Sequence, residues 1–377
     1  MTSRSLASPY AEIRKEAQVV ADQVEPIAAE ADAWEDIHPE VRARLADSRL
    51  GELVVPAAYG GRFAKVNPLA VVIVRETFMA TSSHLDALFG LQGIGSYAIS
   101  VGGSEEQRRE WLPAIAGFDR IAALALTEDE AGSDLKAVRV SLTDDGSQLR
   151  LNGRKTWISN ADVADSFAVL CREGDGYSMV LVPADSAGVS TTAGPDLIAP
   201  HVIGEVGFDD VRLPPEARLG APGEGFDLVL ATLATFRVSV AGAAIGLAGA
   251  ALREAVRHCR TREQFGRPLW RLGPVAQMLA ESATELEMVR GLTYEAAELA
   301  GQDAAEALPK SSMAKLAATE AAGRIVDRCV QIMGRWGLVS DSKIERLYRQ
   351  ARPMRIYEGT SEILRLGIAR DLIEADR

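Results

Sequence analysis

Over residues 10 to 120 the apolar positions recur at the spacing of helices. Ile13, Ala17, Val20, Val24 and Ile27 fall three and four apart, which predicts an amphipathic helix over Tyr10 to Trp34. Glu40 to Ser48 reads as a second helix, with Gly51 just beyond it as the stop signal. Pro56 to Gly61 reads as a turn, and Pro68 to Ala80 and His84 to Val101 as further apolar helices. Ser104 and Gln107 stand as N-cap and third helical residue of a capping box, opening a helix that runs to about Ala116.

The period changes near Arg120. Ile121 to Leu126, Val138 to Leu142, Gln148 to Leu151, Lys155 to Ile158, Ser166 to Leu170 and Tyr177 to Val182 are short, β-branched or alternating runs divided by Gly, Asp or Asn. Gly188 to Leu213 continues in that manner, and Gly220 to Phe226 reads as a linker. Long helices follow: Phe226 to Arg260, Gly273 to Leu299, Ala304 to Met333, Ser342 to Ile356, and an apolar one from Ile363 to Ile373. Their Ala and Gly content allows close helix–helix approach. The expectation is a multidomain α+β protein with a helical domain over 1–120. A central β-barrel or sandwich follows over 121–222, and a C-terminal four-helix bundle over 223–377. There is no strand–helix alternation and no Gly-x-Gly-x-x-Gly, which argues against a Rossmann domain.

Composition narrows the function. A chain of 377 residues has room for two or three domains, and its 47% hydrophobic and 25% charged content is that of a globular protein. The net charge of −12 argues against a nucleic-acid partner. The most apolar run, Val238 to Leu252, ends at Arg253 short of the roughly 18 residues a bilayer needs, so no membrane is expected. Cys171, Cys259 and Cys329 and the four histidines (His38, His84, His201, His258) are too scattered for a disulfide framework or a metal site. The first residues hold no apolar signal region, and Glu12 and Glu16 come too early for a transit peptide, so the cytoplasm is the default expectation.

Several stretches carry candidate chemistry. Thr127 to Asp134 joins hydroxyls, Gly132 and backbone N–H groups in one loop, suited to a phosphate or a ring carbonyl. Trp157 and Ser159 put an aromatic plane beside a hydroxyl, as a flat cofactor ring needs. Arg262 follows a long helix and is placed to clamp a pyrophosphate. Near the C-terminus, Ile356-Tyr357-Glu358-Gly359-Thr360 follows a basic run (Arg346, Arg349, Arg352, Arg355) and breaks two helices, so that Glu358 can point into a cleft. Each stretch alone has an ordinary structural explanation: a solvated acidic turn, an amphipathic strand, a complement to a helix dipole or a helix-end glutamate.

Their order is far more specific. Leu126-Thr127-Glu128, Ala131-Gly132-Ser133-Asp134, Trp157-Ile158-Ser159-Asn160, Arg262-x-Gln264-Phe265-Gly266, Gln331-x-x-Gly334 and Ile356 to Thr360 occur in a sequence and spacing that resembles the acyl-CoA dehydrogenase family, over about residues 10 to 373. The resemblance implies the same three-domain fold, FAD, and a homo-oligomer built as a dimer of dimers. It places Leu126, Thr127 and Ser133 against the flavin or its phosphates, and Trp157 and Ser159 beside the isoalloxazine ring, with Ser159 near N5. Arg262, Gln264, Phe265, Gln331 and Gly334 would reach the FAD of a neighbouring subunit, and Thr360 and Glu362 complete the cofactor set. Ser133, Arg237, Tyr357 and Gly359 would meet the substrate.

The implied reaction removes the α-proton of an acyl thioester while the β-hydride passes to flavin N5. Glu358 occupies the position of the usual base, whose pKa must be raised by burial. Its backbone N–H and a ribityl hydroxyl would polarise the thioester carbonyl. The alternative base position of the family, before Arg237, holds Phe236. Other departures are Asp129 in place of proline, Arg335 in place of a second glycine, Gln350 in place of an aspartate, Leu233-Ala234 before the Arg237 region, and a segment Pro195 to Val206 without the usual basic loop. These open a second reading, the same chemistry on a thioester carried by an acyl carrier protein, with the basic run as its docking patch. Electrons would leave to an electron-transfer flavoprotein or another acceptor. A flavin oxidase using O2 and a non-catalytic scaffold on the same fold are the rival classes.

Overall fold

Ile13, Ala17, Val20, Ala21 and Val24 make the buried stripe of helix α1 (Tyr10–Val24). In this computed structural model, which describes residues 7–375, the predicted long first helix is interrupted. Pro26 sits inside a 3-10 turn over Glu25–Ile27, where its ring and missing N–H end the α1 ladder, and α2 (Ala28–Asp32) resumes it. Helix α3 (Pro39–Ser48) is stopped by Arg49 in the left-handed region at φ 57, two residues ahead of the Gly51 expected to stop it. Helices α4 (Pro68–Met79), α5 (Ser83–Gly102) and α6 (Glu105–Ala116) follow the apolar pattern. The capping box forms: Gln107 N–H donates to Ser104 Oγ at 3.2 Å and Ser104 N–H to Gln107 Oε1 at 2.8 Å.

The strands are β1 (Ala122–Ala125), β2 (Ser141–Asp144), β3 (Leu149–Ser159), β4 (Ser166–Glu173), β5 (Gly176–Pro183), β6 (Val189–Ala193), β7 (Ile203–Leu213) and β8 (Arg218–Leu219). They form one sheet in the order β6-β7-β3-β2-β4-β5-β8, with β1 parallel to β4. The two runs expected on either side of Asn152-Gly153 are one strand, β3, antiparallel to β7 with register shifts at Leu151/Gly153 and Lys155/Ile158. Gly153, at φ 131, makes a bulge instead of a turn, and a Cβ there would come within 2.9 Å of Val140 Cγ2. Val140, Leu142, Leu151, Phe167, Val180, Val206 and Phe208 are among the buried side chains that fill the sheet's core.

Helix α7 (Gly225–Thr261) is long and apolar enough by composition to cross a bilayer, yet 83% of its most apolar window is buried within the fold. Beyond it come a short hairpin of two-residue strands, β9 (Glu263–Gln264) and β10 (Arg267–Pro268), and helices α8 (Gly273–Gln302), α9 (Ala304–Met333), α10 (Lys343–Ala351) and α11 (Ser361–Ala375). Backbone contacts gather the chain into two units that cut across its linear order. One comprises residues 7–32, 68–86 and 237–375; the other comprises 33–67 and 87–236 and holds the whole β1–β8 sheet.

In the helical unit, α4 packs on α1, on α8 and on α7. A Cβ at Gly246 of α7 would lie 2.0 Å from the Glu76 carbonyl oxygen, so close approach there requires glycine. Gln350, which stands where a carboxylate was expected, donates to Asp32 Oδ2 at 3.1 Å and to Ser83 Oγ at 2.8 Å. Asp32 supplies the negative charge from α2, and Arg346 lies 3.6 Å from it.

In the sheet unit, a buried Gln92 closes the entry to β1. Its Oε1 accepts from Ala122 N–H, and its amide donates to the carbonyls of Ile115 and Arg120.

Candidate active site

The sheet unit carries one group of the predicted site residues. Leu126 to Asp134 leaves the end of β1, and Gly132, Ser133 and Asp134 are exposed. The loop is pinned from beneath by Glu128 and Lys155, both buried. Lys155 Nζ donates to the Leu126 carbonyl and to Glu128 Oε1, each at 2.8 Å. Glu128 also accepts from the N–H groups of Val140 at 2.9 Å and Arg139 at 2.7 Å. Burial alone would raise the Glu128 pKa, but these donors outweigh it and hold it below the ordinary carboxylate range. Thr156 N–H donates to the Thr127 carbonyl at 2.9 Å, joining the loop to β3.

At that junction the backbone of Trp157 takes φ 58 and that of Asn160 φ 61. A positive φ is costly for a bulky residue, and it turns the Trp157 indole outward, leaving the residue 54% exposed. Thr156 Oγ1 and Asn160 Nδ2, on either side of Trp157 and Ser159, are buried without a hydrogen-bond partner. Ser159 Oγ and His201 Nε2 lie 2.8 Å apart. An open loop rich in N–H and hydroxyl groups, beside an exposed indole, a serine hydroxyl and an orphaned amide, fits a planar ring system carrying phosphates. Phe236, at the alternative base position, is buried in this unit with its ring edge-on to Tyr97 at 5.6 Å.

The helical unit carries another group of them. Glu358 (φ 52) and Gly359 (φ 100) form a left-handed turn between α10 and α11. Arg237 Nε donates to the Glu358 carbonyl at 3.0 Å, and Lys315 Nζ to the Gly359 carbonyl at 2.7 Å. Two cations are thus committed to the backbone of the turn. The Glu358 carboxylate itself is left incomplete: its Oε2 is buried with no partner. Burial raises its pKa above the ordinary carboxylate value, opposed by the charges of Arg75, Lys315 and Arg237 and reinforced by Asp86. Lys315, desolvated in turn, is lowered to about 8.

Arg75 and Asp86 form a buried fork at 2.9 and 2.7 Å, with Arg75 Nη1 also donating to Ser239 Oγ at 2.9 Å. Burial opposes the Arg75 charge, but Asp86 more than restores it.

Of the remaining predicted residues, Tyr357 is 40% exposed and Thr360 accepts from Ile363 N–H at 3.3 Å through its hydroxyl. Thr360 therefore acts as a cap of α11, and Glu362 reaches solvent with Arg365 3.6 Å away. Arg262, Gln264 and Phe265 gather on the β9–β10 hairpin, whose two-residue loop is Phe265-Gly266 with φ of 54 and 70. Phe265 is 88% exposed, which is unusual for a large apolar side chain held in a strained turn. Gln331 and Gly334 (φ 58) are exposed at the end of α9.

Lys315, Arg75, Asp86 and His201 were missed by the sequence reading. The first three had a visible signal, a lone charge inside an otherwise apolar helical stripe. His201 had none.

Comparison with known proteins places this succession of helices, sheet and helices among the acyl-CoA dehydrogenases. The chain matches the family models for the acyl-CoA dehydrogenase N-terminal domain over residues 10–119, middle domain over 123–211 and C-terminal domain over 223–373. It is 33% identical over 368 residues to cyclohexane-1-carbonyl-CoA dehydrogenase of Syntrophus aciditrophicus, covering 94% of each chain. It is also 33% identical over 385 residues to the mitochondrial short-chain specific acyl-CoA dehydrogenase of Sus scrofa, covering 100% of this chain and 92% of that one. The glutaryl-CoA dehydrogenase of Mycobacterium smegmatis, solved in complex with FADH2, superposes with a TM-score of 0.89 at 27% identity, covering 97% of this chain and 95% of that one. The protein belongs to the acyl-CoA dehydrogenase family and has its three-domain fold, N-terminal helical, middle β-sheet and C-terminal helical. It is an oxidoreductase of the class that acts on CH–CH groups, and flavin-bound family members support FAD as its cofactor.

Proposed function

We propose that this protein introduces an α,β double bond into an acyl-CoA thioester, with Glu358 as the base that takes the α-proton. The observation that carries this reading is the Glu358 carboxylate. The residue is half-buried, its Oε2 is buried without a partner, and it is fixed on a turn whose two carbonyls are tied down by Arg237 and Lys315. A carboxylate without donors is a stronger base than a solvated one, and its raised pKa brings it toward that of a weak carbon acid. Leaving a buried oxygen unsatisfied costs about 1–3 kcal/mol, which the fold offsets through the clamp on the backbone.

FAD, when bound, supplies the acceptor for the β-hydride. Leu126, Thr127 and Ser133 would hold it at the loop, Trp157 and Ser159 at the ring, and Arg262, Gln264, Phe265, Gln331 and Gly334 from a second copy of the chain. The strained, exposed Phe265 supports that sharing and a homo-oligomer. Electrons then pass to an electron-transfer flavoprotein.

The test is anaerobic bleaching of the flavin by a panel of thioesters, each offered as CoA ester and as carrier-protein conjugate, with Glu358→Gln alongside. Bleaching by a CoA ester that is lost in the variant is the expected result. Bleaching only by carrier-bound acyl groups would move the substrate to the carrier protein, and reoxidation by O2 at the rate of turnover would make the enzyme an oxidase.

A further inference from the structure

The nine-residue connection between β6 and β7, residues 194–202, carries His201, whose Nε2 lies 2.8 Å from Ser159 Oγ. The contact is held from both sides. Ser159 pairs with Ile203 across the β3–β7 ladder, and Asn160 N–H donates to the Val202 carbonyl at 3.0 Å. His201 is therefore carried on backbone that is registered residue for residue against the end of β3. Ser159 and Asn160 are two of the residues that meet at the Trp157 bulge, and Asn160 keeps a buried amide without a partner there.

The chemistry of the pair follows from the donor and acceptor inventory. A serine hydroxyl has one hydrogen and can point it at only one neighbour at a time. A neutral imidazole offers Nε2 either as N–H donor or as bare acceptor, according to its tautomer. When Nε2–H donates to Ser159 Oγ, the serine hydrogen is free to be given to a third group. When Nε2 is bare, it takes the serine hydrogen, and Ser159 Oγ becomes an acceptor. The pair is thus reversible in polarity.

A ring nitrogen that accepts a hydrogen bond before it takes up hydride carries hydrogen, and donates, afterwards. Ser159 alone can also rotate, but it then leaves its own hydrogen without an acceptor. His201 supplies that acceptor.

We propose that His201 is a positioning residue for Ser159, reversing the polarity of the Ser159 hydroxyl so that it can serve both oxidation states of the bound flavin. This rests on the reading that Ser159 lies at the reacting edge of the ring. Without His201 each state loses one hydrogen bond, but the oxidised form is left only with an unused lone pair on Ser159 Oγ, while the reduced form is left with a hydroxyl hydrogen that has no acceptor. A difference of about one hydrogen bond changes the reduction equilibrium about fivefold. For a two-electron couple that corresponds to about 20 mV.

The experiment measures the midpoint potential, the visible spectrum and the FAD dissociation constant of the purified holoenzyme. The variants are His201→Phe, His201→Gln and Ser159→Ala. His201→Phe keeps a planar ring but offers no hydrogen bond, and it is expected to lower the potential by that amount with little change in FAD affinity. His201→Gln, whose amide can donate or accept, is expected to restore the potential toward the parent value. If Ser159→Ala shifts the potential and the spectrum while His201→Phe leaves both unchanged, the His201 inference is overturned and the Ser159 assignment stands. If Ser159→Ala changes none of the three readouts, the Ser159 assignment fails and the inference with it.

Discussion

Two carboxylates, the buried Glu128 in the sheet unit and the half-buried Glu358 in the helical unit, are held in opposite ways. Glu128 has donors on both oxygens, two from backbone N–H groups and one from Lys155, and its pKa is held down. Glu358 has cations around it, but Arg237 and Lys315 donate to backbone carbonyls of its turn and leave its own Oε2 bare. A satisfied carboxylate is a rivet: it fixes the shape of the Leu126–Asp134 loop and binds a proton less readily than a free carboxylate. An unsatisfied one is reactive, because accepting a proton relieves its burial. The same side chain thus becomes scaffold or base according to where the nearby donors are pointed.

The largest effect is expected at Lys155. Lys155→Met leaves Glu128 charged and buried, at a cost of about 3–5 kcal/mol of stability. Urea unfolding of holoenzyme reads this directly, and a variant as stable as the parent would mean that Glu128 is no rivet. On the other side, Arg237→Met removes the charged donor to the Glu358 carbonyl, worth about 1.5–3 kcal/mol. Expressed as a barrier, that energy lowers thioester turnover roughly 10- to 100-fold while FAD stays bound. Loss of FAD with intact turnover per bound flavin would contradict it.

Smaller effects probe the charges around Glu358. The double variant Arg75→Met with Asp86→Asn removes a cation that lowers the Glu358 pKa and a carboxylate that raises it, the cation having the greater influence. The ascending limb of the turnover profile should move to higher pH, by up to about one pH unit. A limb that stays in place would separate the fork from the base. Glu358→Gln probes the same charge through stability. A carboxyl whose folded pKa is raised binds its proton more tightly in the native state, so stability falls as pH rises from the ordinary carboxylate range through the raised value. The variant lacks that fall. Its thermal stability should match the parent in acid and exceed it increasingly toward neutral pH, by about 1.4 kcal/mol for every tenfold difference in proton affinity between the folded and unfolded carboxyl. A gap that does not depend on pH would show that the carboxyl titrates normally.

Much of this was legible in the chain because local rules and tertiary packing agree there. The Ser104–Gln107 capping box and the helices α4 to α6 follow from spacing alone. Where sequence reading erred, a long-range contact had decided the outcome. Asn152-Gly153 looks like a turn, but Val140 lies against Gly153 and the strand runs on as a bulge. Gly51 looked like the stop of α3, and Arg49 made it.

The site divides in the same way. Trp157, Phe265 and Glu358 were singled out by motif, and all three are non-glycine residues at positive φ, a strain that no sequence pattern reveals. The Arg75–Asp86 fork joins α4 to α5, and Lys315 reaches a turn 44 residues away, pairings set by packing rather than by spacing. Gln350 looked like a lost charge. Asp32, far away in sequence, supplies it.

We propose Glu358 as a base kept strong because its Oε2 is left without a donor. The most direct measurement is the rate of anaerobic flavin bleaching by whichever acyl-CoA of the panel reacts fastest, followed from pH 4 upward by stopped flow in the parent and in Glu358→Gln. Loss of a general base is expected to slow the variant by about 10²- to 10⁴-fold. The parent should show an ascending limb centred above the ordinary carboxylate value of 4.5, and the variant a slow, limb-free profile. Bleaching by Glu358→Gln at the parent rate, or a limb at the ordinary carboxylate value, would contradict that role.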